Sequence, residues 1–187
     1  MRIWLVMLLM FAFSVNAEEV ICAYNDSSTY ELEVFKNCGS LGSDGLLKVN
    51  PDLLPKVRWH KFGMSCINVR GEGWFFLNQN GLARGAPFLQ DNDCNPFSEG
   101  LAVGISNGKI VYYDQVLSII KKTDYTWSGS FHKKHAKVCK GTLIREYDAS
   151  GEHYSLTGGN CGYINREFEV VVPTVFDFQS TPVPEGL

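Results

Sequence analysis

A broad basic surface is missing from this sequence. Its 17 Lys and Arg are outnumbered by 20 Asp and Glu, for a formal charge of −3. That argues against a dedicated nucleic-acid binder, which needs clustered cations to neutralise phosphates. Long apolar runs are missing too. The longest, residues 3–13, has eleven residues, against about 20 for a helix crossing a bilayer, so the chain is not read as membrane-spanning. Closely spaced cysteines are absent. The shortest gap, Cys22 to Cys38, is 16 residues, far from the C-x₂₋₄-C spacing of a structural zinc site. Helical periodicity is weak after residue 17, and its best segment, residues 116–122, is short and β-branched. There is no G-x-S-x-G elbow, no H-E-x-x-H pair, no Walker loop and no dinucleotide glycine fingerprint. No enzyme activity and no cofactor are therefore read from the chain.

What is present begins with an address. Arg2 precedes the apolar run, and Ser14-Val15-Asn16-Ala17 places small residues where a signal peptidase reads them. Residues 1–17 are read as a signal peptide cut between Ala17 and Glu18. Residues 18–187 form the mature chain, which loses Arg2 and carries a side-chain charge of −4. All six cysteines, Cys22, Cys38, Cys66, Cys94, Cys139 and Cys161, lie in that mature part. An even number in an exported chain reads as disulfides. Six cysteines permit fifteen pairings; the favoured one joins sequence neighbours, Cys22–Cys38, Cys66–Cys94 and Cys139–Cys161. The expected location is periplasmic or secreted.

The mature chain reads as all-β. Short apolar stretches alternate with Gly, Asn, Asp and Pro about every ten residues. Asn80-Gly81 and Asn107-Gly108 are tight-turn dipeptides, since both residue types tolerate φ > 0. Residues 143–156 read as a hairpin with Asp148-Ala149-Ser150-Gly151 at its tip. Internal self-similarity is the most informative pattern. Gly73-Trp74-Phe75-Phe76-Leu77-Asn78 recurs as Lys109-Ile110-Val111-Tyr112-Tyr113-Asp114 at an offset of 36, and as Asn160-Cys161-Gly162-Tyr163-Ile164-Asn165 at an offset of 87. A second block follows each: Pro96-Phe97-Ser98-Glu99-Gly100-Leu101-Ala102, a worn copy at residues 130–136, and Pro182-Val183-Pro184-Glu185-Gly186-Leu187.

These blocks resemble the WG-repeat (KWG) proteins of bacteria, whose unit runs Trp-Gly-Tyr-Ile-Asp, a Val-Val-Ile-Pro-like strand, an aromatic-Asp step and Phe-Ser-Glu-Gly-Leu-Ala. Cys161-Gly162-Tyr163-Ile164-Asn165, Val170-Val171-Val172-Pro173, Phe176-Asp177 and Pro184-Glu185-Gly186-Leu187 follow it most closely. The Trp-Gly pair stands here as Trp74-Phe75, Ile110-Val111 and Cys161-Gly162. The expected architecture is tandem antiparallel β-hairpin repeats, three to four units, stapled by disulfides. It comprises a degraded N-terminal unit at residues 18–69, clearer units over about 70–187, and an insertion at 141–160. Such units are too small to bury their own apolar faces and must stack. The resemblance, with the missing catalytic signals, implies a non-catalytic binding module of the bacterial envelope. Its partner would be a protein or a cell-envelope glycan. An envelope hydrolase with a site assembled across repeats, or a small inhibitor or immunity protein, are the alternatives.

Two sets of residues are candidates for recognition. The insertion offers Tyr147, Glu152, His153 and Tyr154, a mixture of charge and aromatics common at contact surfaces. The equivalent aromatics Phe76, Tyr112 and Tyr163 form the other; burial in a core is their commoner fate. His132 and His135, on a strand, would point to opposite faces, and Asp91 and Asp93 read as a turn. The address generates a prediction: expressed in a bacterial host, the protein is exported and its intact mass corresponds to a chain starting at Glu18. A cytosolic product retaining residues 1–17 refutes it.

Overall fold

The computed structural model describes residues 19–60, 63–86, 88–90, 93–94 and 97–187. The signal segment with Ala17 and Glu18, and the acid Asp91, lie outside them. The described chain is antiparallel β apart from one short 3₁₀ helix, Pro51–Lys56. Its centre is three meanders, each of three consecutive strands. The first is β5 (Met64–Val69), β6 (Gly73–Asn78) and β7 (Leu82–Gly85). The second, which follows the short antiparallel pair β8 (Phe88–Gln90) and β9 (Asp93–Cys94), is β10 (Ala102–Ser106), β11 (Lys109–Tyr113) and β12 (Ile119–Lys122). The third is β14 (His135–Tyr147), β15 (Tyr154–Asn165) and β16 (Val170–Phe176), with β13 (Trp127–Ser128) added on β14. The recurring block falls on the central strand each time.

The Asn or Asp closing each block has the same job in all three. Oδ1 of Asn78 accepts the backbone N–H of Asn80 and Leu82 at 3.1 and 3.0 Å. Oδ1 of Asp114 accepts those of Val116 and Ser118 at 3.0 and 2.8 Å. Oδ1 of Asn165 accepts those of Glu167 and Glu169 at 3.1 and 2.9 Å. The residue three positions on, Gly81, Leu117 or Phe168, has φ of 74°, 64° or 63° and donates its N–H to the Asx carbonyl at 3.0 Å. An Asx side chain is short enough to bond its own backbone this way, and does so more strongly than Ser or Thr. The left-handed conformation costs a non-glycine residue roughly 1–2 kcal/mol. Leu117 offsets that by burying its side chain, worth about 1.5–3 kcal/mol.

The second block is also one geometry. Ser98 and Leu101 exchange both backbone hydrogen bonds across Glu99 (φ 52°) and Gly100 (φ 79°), a type I′ turn. His132 and His135 do the same across Lys133 (φ 45°) and Lys134 (φ 65°). The two histidines therefore face each other across a tight turn. Sequence reasoning placed them on one strand with opposed side chains; the turn overturns that premise. Among the described residues no group of three or more His, Cys, Asp or Glu is placed to hold a metal ion. At the C-terminus Leu187 donates to the carbonyl of Pro184 at 3.4 Å, with Gly186 at φ 86°.

Residues 19–60 form no meander of their own. Strands β1 (Cys22–Asn25) and β2 (Leu32–Phe35) extend the first meander beyond β5, and β3 (Gly39–Leu41) and β4 (Leu46–Val49) extend it beyond β7. The result is one seven-stranded sheet, β2-β1-β5-β6-β7-β4-β3. The expected turn at Asn80-Gly81 is a three-residue loop with only Gly81 left-handed, whereas Asn107-Gly108 is the two-residue type I′ loop between β10 and β11.

Three cores lie between these layers. Phe75 and Leu77 of β6 join Leu47, Leu53, Ile67 and Val69 in the first. Phe76, on the opposite face of β6, joins Val111, Tyr113 and Leu117 in the second. Ile110 and Tyr112, on the other face of β11, join Val138, Ile164 and Phe131 in the third. Gly104 is required here, because a Cβ would collide with the Tyr113 ring. Phe76, Tyr112 and Tyr163 are 3%, 0% and 7% exposed. They are core residues, which removes them as a recognition surface. Phe76 and Tyr112 also lie in different cores, because alternate faces of successive strands serve different layers.

The structure pairs the cysteines as Cys22–Cys38, Cys66–Cys94 and Cys139–Cys161, and no described cysteine is free. The shared turn yields the second prediction. Asp114→Ala removes the two hydrogen bonds that its Oδ1 accepts, each worth about 1 kcal/mol, so urea denaturation should show a loss of about 2 kcal/mol. Asp114→Asn keeps the accepting oxygen, as Asn78 does in the first meander, and recovers most of it. Equal losses in the two variants overturn this role.

Candidate functional site

The feature that departs from the meander pattern is the hairpin within residues 141–160. It is an elongation of the β14–β15 pair. Residues 135–140 of β14 pair with 160–165 of β15 inside the sheet. Register breaks between Lys140 and Leu143, where Gly141, Gly158 and Gly159 have φ of 80°, 76° and 71°. Pairing then resumes from Leu143↔Gly158 to Tyr147↔Tyr154. Burial falls abruptly across this break: Val138, Cys139 and Cys161 are buried, whereas residues 144–155 are exposed. A β-bulge bends a ribbon away from its sheet, and left-handed glycines supply it at low cost. Cys139 and Cys161 are directly opposed at the base and joined, with Cα atoms 4.1 Å apart.

The ribbon has two unlike faces. Opposed residues share a face, as do residues two apart. Arg145, Tyr147, Tyr154 and Leu156 make one. The Tyr147 and Tyr154 rings lie 5.7 Å apart, and the Arg145 guanidinium sits 4.8 Å from the Tyr154 centroid. Ile144, Glu146, Ser155 and Thr157 make the other, where Thr157 donates its hydroxyl to Glu146 at 3.0 Å. Tyr147, Ile144 and Tyr154 are 58%, 57% and 38% exposed. A stacked guanidinium and paired rings are largely fixed before any partner arrives, which lowers the entropic cost of association.

The tip is held by Asp148, whose Oδ1 accepts the N–H and hydroxyl of Ser150 at 3.0 and 2.7 Å. Gly151 donates to the Asp148 carbonyl, and the Asp148 N–H to that of His153. The Ser150 hydroxyl, with the backbone N–H groups of His153, Ser150 and Gly151, holds the Asp148 carboxyl below the usual carboxylate range. Glu152 and His153 are exposed beside it. Sequence reasoning thus located the hairpin, its tip and Tyr147, Glu152, His153 and Tyr154. It missed Arg145 as the partner of Tyr154; the cross-strand diagonal that joins them depends on register.

Two buried polar groups elsewhere serve the fold. The Tyr112 hydroxyl meets Ser128 Oγ at 2.7 Å in the third core, where burial pushes its pKa up. Lys137, its pKa lowered by burial, donates to the carbonyl of Phe178 at 2.7 Å and lies over that ring.

Fold and site together define an all-β, disulfide-stapled protein of stacked meanders with one projecting hairpin. Comparison with family models, with curated proteins and with solved structures finds no match to the chain.

The Asp148 turn sets a pH expectation. A carboxyl depressed on folding stabilises the tip above its unfolded pKa of about 3.9, and that contribution is lost as pH falls through the lower folded value. Carboxyl NMR should give Asp148 a midpoint below the ordinary range, and Asp148→Ala should accelerate amide exchange at Ser150 and Gly151. An ordinary midpoint refutes it.

Proposed function

We propose that this chain is an exported, non-catalytic binding module of the bacterial envelope, in which the stacked meanders act as a scaffold and the hairpin at 141–160 docks a protein partner. One observation carries the reading: an aromatic and cationic ribbon stands outside all three cores, with its base clamped by Cys139–Cys161. Tyr and Arg are the residue types that anchor protein interfaces. Nothing in the meander packing requires residues 144–155, since the second meander closes its corresponding hairpin with only Asn107 and Gly108. Three disulfides and the leader-like residues 1–17 are compatible with an oxidising compartment. The recurrence of one turn geometry in three meanders supports the tandem-repeat reading and the resemblance to WG-repeat proteins.

The test replaces residues 144–155 with a Gly-Asn turn. The shortened protein should stay folded with three disulfides by mass and circular dichroism, and lose the partner cross-linked by the full chain in the envelope fraction. In the full chain, Tyr147→Ala and Tyr154→Ala should each weaken that partner by about 30-fold if they act as hot spots. If the shortened chain keeps the partner, recognition lies elsewhere. If it unfolds, the hairpin is structural.

A further inference from the structure

A cleft lies against β7 of the first meander. The turn between β3 and β4, the turn between β5 and β6, and the turn between β10 and β11 converge around Arg84 and Gly85 of β7 and flank an open cleft of about 400 Å³. That lies within the usual size range of small-ligand sites. Phe75 and Tyr113 form its inner wall.

The polar groups of this cleft fall into two sets. The first is consumed by the fold. Arg84 donates Nε–H to the Leu117 carbonyl at 3.1 Å and Nη1–H to the Asp44 carbonyl at 3.3 Å, and its Nη2 lies 3.5 Å from the Asp44 carboxylate. Asp44 also accepts the Leu46 N–H at 3.1 Å. The Tyr113 hydroxyl donates to the Ile105 carbonyl at 3.1 Å. The second set, the Ser43 and Ser106 hydroxyls, the Glu72 carboxylate and the Asn107 amide, makes no side-chain hydrogen bond or ion pair among the described residues. These come from all three turns, and all line the same space.

The character of this second set selects a ligand. An apolar molecule would strand whichever of these groups it cut off from water, at about 1–3 kcal/mol for each left unsatisfied; Ser43, Glu72 and Asn107 are exposed without a ligand. An anion would meet the unpaired Glu72 carboxylate while the cleft's one cation, Arg84, is already engaged. A neutral molecule carrying many hydroxyls donates to Glu72 and both donates to and accepts from Asn107 and the two serines. We propose that this cleft is a binding site for a short neutral saccharide, either free or as part of a cell-envelope glycan. The inference stands apart from the hairpin reading, since the cleft and the hairpin share no residue.

The test uses the full chain with two probes, the soluble disaccharide chitobiose and insoluble peptidoglycan sacculi, and two controls, a diamine and inorganic phosphate. Millimolar chitobiose should move the amide resonances of Gly45, Asn107 and Gly108. Glu72→Ala should weaken binding by about tenfold, the usual effect of losing one charge-assisted hydrogen bond. Ser43→Trp, an exposed turn position at the mouth, should abolish it while leaving the circular dichroism spectrum unchanged. Response to chitobiose alone identifies a free sugar; co-sedimentation with sacculi identifies the glycan. The chain with residues 144–155 replaced should bind the saccharide as before, so failure of the hairpin reading leaves this result intact. The proposal is overturned if neither saccharide probe binds, if only the diamine or phosphate moves these resonances, or if Ser43→Trp binds unchanged.

Discussion

Two-sided apolarity of the central strands dictates how the layers stack. In β11, Ile110, Val111, Tyr112 and Tyr113 are consecutive and all buried. Because successive side chains point to opposite faces, such a strand exposes a row of large apolar groups to water unless it is covered twice. No three-stranded meander can do this alone. β6 is covered by the 3₁₀ helix layer on one side and by β11 on the other, and β11 in turn by β6 and by the third meander. The architecture follows from the need to share each apolar face between neighbours.

Turns connect as well as close the layers. Asn78, besides capping its own turn, donates its amide to the carbonyl of Val116 in the next meander at 3.4 Å, and Arg84 reaches Leu117 there. The Glu99 carboxylate accepts the Lys134 N–H at 3.1 and 3.2 Å, and the Glu99 carbonyl accepts from Arg166 at 3.0 Å. Polar turn residues thus join one unit to the next, while the apolar strands supply the driving force. The disulfides act at other points. Cys22–Cys38 and Cys66–Cys94 tie the first sheet to segments outside its meander, and Cys139–Cys161 holds the base of the projecting ribbon.

The two proposed sites arise where the pattern is interrupted. The hairpin extends a pair of strands past the point where a neighbour could cover them, so its aromatics remain in water. The cleft forms where three turns from different parts of the chain meet around a glycine whose added Cβ would lie 3.2 Å from the Ile105 carbonyl. Both are edges of the stack, and edges are where side chains are released from packing and become available to a ligand.

The all-β class, the recurring central strand, the presence of disulfides and the place of the hairpin were legible in the chain, whereas the choice among fifteen cysteine pairings was not. Those are local or periodic properties: alternation, turn chemistry and spacing act within a few residues. The Asn and Asp at positions 78, 114 and 165 were legible as recurrent for the same reason, since their bonds reach no further than four residues. Which face each strand gives to which core was set by the packing of the layers. It buried Phe76, Tyr112 and Tyr163, turned His132 toward His135, and attached residues 19–60 to both edges of one meander. It also drew Ser43, Glu72 and Asn107 around one space. Such assignments depend on register and stacking between segments far apart in the chain, where a one-residue slip reverses every side chain, and no local pattern encodes that choice.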